Sequence, residues 1–292
     1  LPVPPAGKLR SQSEVTAGTE RGGTLSPREA MRMRMVLVVS LTSVLLGRLA
    51  FATDQGLVAA YDFEAGTGTV ARDVSGHGFD GKLIGGATWE KGEFGTALRL
   101  NGADAYVDCG SALSPRLEKQ GTLLLWVKPE VLQGGLINWS TGQNWPDERL
   151  VWCFDTYHGA ARMMWAIADG RGSVSNYLPN PPAQTWTQLA LAYDGSVVRP
   201  FCNGIADRET SQRLTPALEG VLLWLGRCQG LGKEYFAGLI DEVRIYDRPL
   251  TAAEVLALYK AEAGRRGHDT RAFRQPTVVA AAEPAARRVV QV

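Results

Sequence analysis

From residue 57 to 248 the chain alternates short apolar runs with turn residues. The runs are LVAAYDF (57–63), TALRL (96–100), AYVDC (105–109), TLLLWVKP (122–129), GLINWS (135–140), RLVWCFD (149–155), ARMMWAIAD (161–169), WTQLALAYD (186–194), VVRPFCNG (197–204), VLLWLGR (221–227) and FAGLIDEVRIYDR (236–248). Several carry the two-residue period of a strand with unlike faces. In WTQLALAYD, Trp186, Gln188, Ala190 and Ala192 fall on one face and Thr187, Leu189, Leu191 and Tyr193 on the other. LIDEVRIYD sets Leu239, Asp241, Val243 and Ile245 against Ile240, Glu242, Arg244 and Tyr246. Asn-Gly, Asp-Gly and Gly-Gly pairs between the runs supply the positive φ of hairpin turns. About eleven strands with almost no helix predict an all-β, two-sheet antiparallel sandwich. One helix is marked, AAEVLALYKAEAG (252–264), with Thr251 and Glu254 as a capping box, Leu250 and Val255 as a hydrophobic staple and Gly264 as a stop. It reads as a satellite that plugs a sheet edge or corner.

The two ends follow other patterns. MRMRM (31–35), then the uncharged VLVVSLTSVLLG (36–47), then Ala50-Phe51-Ala52 form the n-region, h-region and cleavage site of a signal peptide over 31–52, with cleavage before Thr53. The apolar stretch is too short for the ~20 residues of a bilayer span. A secretion signal works at a free N-terminus, so residues 1–30, polar and rich in Pro, Arg and Ser, read as an extension upstream of the true start or as disordered chain. Residues 264–292, biased to Ala, Arg and Pro without sustained periodicity, read as a disordered basic tail. One domain, 53–263, lies between.

Charge narrows the partners: 31 Lys and Arg balance 30 Asp and Glu, so there is no basic excess to neutralise a nucleic acid. Cys109, Cys153, Cys202 and Cys228, an even number in an exported chain, are compatible with two disulfides in any of three pairings. Each also sits in an apolar run where a free thiol is an ordinary small hydrophobe. Without CxxC or a nearby His pair they are no zinc ribbon.

AAYDFEAGTGTVARDVSGHGFDGKLIGGATW, FGTALRLNGADAYVDCG, GTLLLWVKP, WTQLALAYDG with its following FCNG, and FAGLIDEVRIYDRPLTAAEV, in that order and spacing, resemble the laminin-G-like, concanavalin A-like jelly-roll domains of exported proteins. The similarity runs over roughly 57–261, and its most specific pieces are the DxSGxG loop and the closing DEVRIYxRxLT segment. The resemblance implies two curved antiparallel sheets and a glycan-binding, adhesion or accessory module that is secreted, periplasmic or held at the cell envelope. The four cysteines stand where aliphatic or aromatic residues are commoner in the family.

The loop Asp73–Gly81 is no EF-hand, because position 12 is Ile84, and no phosphate loop, because neither Lys-Ser/Thr nor a helix follows. Two readings stay open. One is a structural Ca²⁺ site built from the Asp73 and Asp80 carboxylates and the His77 carbonyl, for which the resemblance suggests Asp241 as the missing partner. The other is an Asx-type turn capped by Asp73.

Catalysis finds no footing in the residues. A retaining glycosidase needs two carboxylates ~5–5.5 Å apart on one cleft. Glu-x-Asp-x-Glu is absent, Asp147, Glu148 and Asp155 straddle a strand at the wrong spacing, and Asp241 and Glu242 point to opposite faces. No GxSxG occurs. For binding, the richest stretch is 138–177, with aromatic rings to stack on pyranose faces and planar polar groups to pair with hydroxyls. Trp145 and Tyr157, in polar loops, are the expected platforms, with Asn144, Arg149 and His158 beside them, whereas Trp126, Trp186 and Trp224 read as core. The expected function is an exported, non-catalytic glycan-binding module whose partner is a polysaccharide. The alternative is an adhesion or envelope domain that binds a cell-surface protein, and an accessory role beside a separately encoded enzyme ranks third. Stable membrane insertion is not expected once the signal is cleaved.

Overall fold

The structure, a computed structural model, describes residues 55–92, 95–141, 148–156, 159–213, 215–230 and 234–265. Every described residue belongs to the unit Leu49–Val292. The proposed signal peptide, and the proposed tail beyond its first two residues, lie outside the described residues.

In chain order the strands are β1 (Leu57–Tyr61), β2 (Val70–Ala71), β3 (Gly81–Ile84), β4 (Thr88–Lys91), β5 (Thr96–Asn101), β6 (Tyr106–Asp108), β7 (Gly121–Val131), β8 (Gly134–Ser140) and β9 (Leu150–Asp155). They continue with β10 (Arg162–Ala168), β11 (Ser173–Leu178), β12 (Thr187–Tyr193), β13 (Val197–Cys202), β14 (Ile205–Ala206), β15 (Thr210–Ser211), β16 (Leu222–Leu225) and β17 (Ala237–Tyr246), and one helix, α1 (Ala252–Arg265), follows. The first sheet runs β14-β13-β12-β7-β17-β5-β4, with β1 on β17 and β15 on β13, and the second runs β11-β10-β9-β8-β16-β6-β3-β2. Each of the long apolar runs forms a strand. The short strands β2, β3, β4, β14 and β15 and the polar β11 carry too few apolar residues to announce themselves, and partners hold them in place. Asn203 (φ 49°) and Gly204 (φ 77°) turn β13 into β14 with the positive φ expected of an Asn-Gly pair.

Between the sheets, Trp139, Trp152 and Trp165 from β8, β9 and β10 pack with Leu98, Leu123, Leu191 and Ile240 of the first sheet. A smaller core lies on the other side of the first sheet, where Leu124, Ala190, Phe201 and Tyr246 meet Leu250, Val255 and Leu258 of the helix and its entry. So α1 covers a sheet face instead of plugging an edge, because those strands are apolar on both sides. Its start is built as expected: the Glu254 amide donates to the Thr251 hydroxyl (3.3 Å) and Glu254 accepts from the Thr251 amide (2.8 Å). It runs one residue past Gly264.

The strict alternation expected of β17 does not hold. A bulge between Asp241 and Arg244, with Glu242 at φ 49°, shifts the phase, so that Ile240, Val243 and Ile245 all face the main core. Arg244 then points to the helix side, where it pairs with Glu242 (2.7 Å) and with the buried Glu262 of α1. Glu262 also accepts from Trp126 Nε1 and from Gln188 Nε2 (2.9 Å). Glu262→Ala leaves Arg244 with Glu242 as its carboxylate and takes the acceptor from Trp126 Nε1 and Gln188 Nε2, and is expected to cost about 1–3 kcal/mol in urea denaturation, with Glu262→Gln costing less.

Candidate functional site

The Asp73 loop is self-capped. Asp73 Oδ1 accepts the Ala60 amide (2.9 Å) and the Ser75 amide (2.9 Å), and Oδ2 accepts the Phe79 amide (3.0 Å). Asp80 accepts the Asp73 amide (2.8 Å) and faces Arg72 at 3.8 Å. His77 is exposed, its Nδ1 3.1 Å from the Ser75 hydroxyl. Burial pushes the Asp73 carboxyl up, but the amides of Ala60, Phe79 and Ser75 outweigh it and hold the group below its ordinary value. Asp241, fully buried, lies at the β17 bulge, accepts the Glu242 amide (2.8 Å) and comes within 3.4 Å of the space a Gly92 Cβ would fill. The bulge that turns Val243 and Ile245 inward separates Asp241 from the face it was expected to share with them. The described residues gather no group of three or more His, Cys, Asp or Glu able to hold a metal. The loop is an Asx-type turn that ties β1 to β3.

The second sheet offers a different surface. Leu150, Trp152 and Phe154 of β9 and Met163, Trp165 and Ile167 of β10 point into the main core, so their neighbours Val151, Cys153, Asp155, Met164 and Ala166 occupy the outer face. Beside them on β11, Tyr177 pairs with Met164 and is 38% exposed. The Tyr177 hydroxyl donates to Asp155 (2.8 Å), and the Arg162 guanidinium lies 3.7 Å over the Tyr177 ring and 4.0 Å from Asp155. Burial, reinforced by the Asp155 carboxylate, pushes the Tyr177 hydroxyl up, so it stays a donor.

Further along the same face, Trp224 meets Tyr106 edge-on (5.7 Å), and Arg227 spreads over Trp224 (4.3 Å), Tyr106 (5.1 Å) and Tyr235 (5.3 Å). Trp224 therefore is buried on the outer face, not between the sheets, and Trp126 is buried under α1 against Tyr259. Of the three tryptophans read as core, Trp186 is only partly buried. The tryptophans buried between the sheets are Trp139, Trp152 and Trp165. The sequence cannot sort these, because both faces of a covered strand are apolar.

Glu148, fully buried at the entrance to β9, has neither carboxylate oxygen in a well-formed hydrogen bond among the described residues. Burial raises its carboxyl to about 8, and Ser140, the Gln229 amide and Arg227, close by but poorly aligned, pull it back only in part. Of the expected ligand residues, Arg149 is half-buried, its guanidinium reaching over the Gly170 turn, while Asn144, Trp145, Tyr157 and His158 lie outside the described residues. The spatial cluster of Asp155, Arg162 and Tyr177 escaped notice because it forms only when β9, β10 and β11 pair. An open depression lined by Pro115, Arg116, Glu118, Lys119, Gln120 and Asp247 presents no aromatic ring. Among the described residues no helix is long and apolar enough to cross a membrane.

A family model described as the concanavalin A-like lectin/glucanases superfamily matches residues 101–256. Among solved structures, domain 4 of AbnA, a GH43 extracellular arabinanase from Geobacillus stearothermophilus, in complex with arabinotriose, is 22% identical with a TM-score of 0.54, over 70% of this chain and 98% of that one. The binding domain of Paraclostridial Mosquitocidal Protein 1 is 14% identical with a TM-score of 0.59, over 72% of this chain and 53% of that one. The binding domain of Botulinum Neurotoxin DC, in complex with SialylT, is 8% identical with a TM-score of 0.56, over 72% and 52%. The chain thus spans about half the length of the two toxin domains, and at these identities the likeness is one of fold. Among curated proteins none matches the chain in sequence.

Two outcomes follow from the carboxylates. Asp73→Ala strands three loop amides and should lower stability by about 1–3 kcal/mol in urea denaturation at neutral pH. Because the folded carboxyl ionises more readily than the unfolded one, the wild-type advantage should vanish as the pH falls below about 4. Glu148 has the opposite sign. The unfolded chain ionises near 4.5 and the folded one near 8, so its contribution is complete below the first value and lost as the pH rises towards the second. Glu148→Gln should therefore raise the melting temperature by several degrees at pH 8 and change little near pH 4.5, as read by scanning calorimetry.

Proposed function

The chain belongs to the concanavalin A-like lectin/glucanase superfamily, and from that premise we propose that it is an exported, non-catalytic module that binds a glycan on the outer face of its second sheet. The observation that carries this reading is the grouping of Tyr177, Arg162 and Asp155. A phenol ring with one face backed by a guanidinium keeps its other face for the C–H face of a sugar. The guanidinium and the buried carboxylate fix the ring and offer donors and acceptors at its edge. Tyr157 and His158 lie two and three residues beyond Asp155 in sequence. Arabinotriose in the AbnA domain and SialylT in the toxin domain are carried by proteins of the same fold, which makes oligosaccharides the ligand class to try first.

The reading as a binder and not an enzyme rests on the carboxylates. Glu148 is 0% exposed and Asp155 2%, and a general acid or nucleophile must reach the glycosidic oxygen or the anomeric carbon. Export rests on the signal-like segment at 31–52.

Affinity electrophoresis and calorimetry against a polysaccharide panel that includes arabinan and sialylated glycans should find one retarding ligand. Tyr177→Ala should weaken it roughly tenfold or more, about 1–2 kcal/mol, without changing the melting temperature by more than a few degrees. A protein that ignores every polysaccharide yet binds a cell-surface protein through the same face would favour adhesion instead.

A further inference from the structure

The four thiols occupy two kinds of site. Cys109 packs in the main core against Tyr61, and Cys202 borders that core. Cys153 and Cys228 instead share a separate buried cluster with Val151, Met164 and Ala166 on the outer side of the second sheet, close enough for the Cys228 thiol to perturb the ionisation of Cys153.

The backbone explains how residues so far apart in sequence meet. Cys153 pairs with Gly135 on β8. On the other side of β8 the chain beyond β16 closes in: the Gly226 amide donates to Leu136 (2.9 Å), and the Gly135 and Cys228 amides both donate to Glu234 (3.1 and 2.9 Å). A Cβ on Gly135 would come within 2.2 Å of the Arg227 carbonyl carbon and 2.3 Å of the Asn138 amide nitrogen. Only glycine fits there, so the backbone entering Cys228 lies directly over Gly135, beside Cys153 on the neighbouring strand.

We propose that Cys153 and Cys228 form a disulfide as the chain folds in an oxidising compartment, fastening the segment after β16 to β9. The chemistry is thiol–disulfide exchange with a small disulfide such as oxidised glutathione. One cysteine thiolate attacks it, forming a mixed disulfide and releasing one glutathione thiolate. The other cysteine thiolate then displaces the second glutathione. The pair's two electrons and two protons end on two glutathione thiols. Both side chains are fully buried in the fold, so an oxidant reaches them before the outer face is covered and not afterwards. Burial also holds Cys153 in its unreactive thiol form once folded. Cys109 and Cys202 remain free. The inference does not depend on the glycan reading.

The test refolds the full chain from denaturant in parallel, with reductant and with a glutathione redox buffer. Free thiols counted in denaturant should fall from four to two in the second sample, and a non-reducing peptide map should join the Cys153 peptide to the Cys228 peptide. Closing a loop of about 75 residues should raise the melting temperature by roughly 5–15 °C over the reduced protein. Cys153→Ala, or Cys228→Ala if the first folds poorly, should keep three free thiols and lose the difference between the two buffers. Four thiols after oxidative refolding, or a bond to Cys109 or Cys202, would overturn the pairing.

Discussion

The fold turns on what one strand is asked to pair with. β17 lies inside the first sheet between β7 and β5, and further along its length it also carries β1. β5 pairs with its first half and β1 with its second, both along the edge opposite β7. The bulge at Asp241–Glu242 falls where one of these partners gives way to the other, with a non-glycine residue held at φ 49°. The cost of that conformation is offset locally, because the Glu242 carboxylate meets Arg244 at 2.7 Å and its amide meets Asp241 at 2.8 Å. From this single irregularity follow the inward turn of Val243 and Ile245, the presentation of Arg244 to Glu262, and hence the seat of the helix.

The same bulge marks where reading the sequence succeeds and fails. Runs such as TLLLWVKP and WTQLALAYD declare themselves, since eight or so apolar or alternating residues between turn signals are the length of a strand and short for a helix. The capping box at Thr251 is equally plain, being a contact between residues three apart. A bulge leaves a fainter trace: LIDEVRIYD reads as an alternating strand, and the phase slip at Asp241–Glu242 becomes plain only in its register against β7. At Asp73 three backbone amides converge on one carboxylate, an arrangement that exists only once β1 and the loop before β3 are in place.

Tryptophan burial was legible and its location was not. Trp126 and Trp224 are as hidden as Trp152, yet one lies under α1 and the other under an arginine on the far face of the second sheet. A strand covered on both sides is apolar at every position, so periodicity carries no information about which side is the centre. The grouping of Tyr177 with Arg162 and Asp155 was hidden differently. Its members fall within the stretch recognised as rich in rings and polar groups, but which of them touch is fixed by the register of β9, β10 and β11.

That outer face is divided in its chemistry. Near β8 and β9 it is closed, with Cys153, Cys228 and an un-ionised Glu148 at neutral pH shut away from water. At β11 it is open, with a tyrosine presented to solvent. A rigid, covered centre beside an exposed aromatic rim is what a binding surface requires, since a ring that is held by a guanidinium and a buried carboxylate loses little freedom when a ligand stacks on it. Buried acids, by contrast, can support the scaffold but cannot hand a proton to a substrate they never meet. The proposal of a binding module rests on this placement of polar groups more than on a fold shared by lectins and glucanases alike.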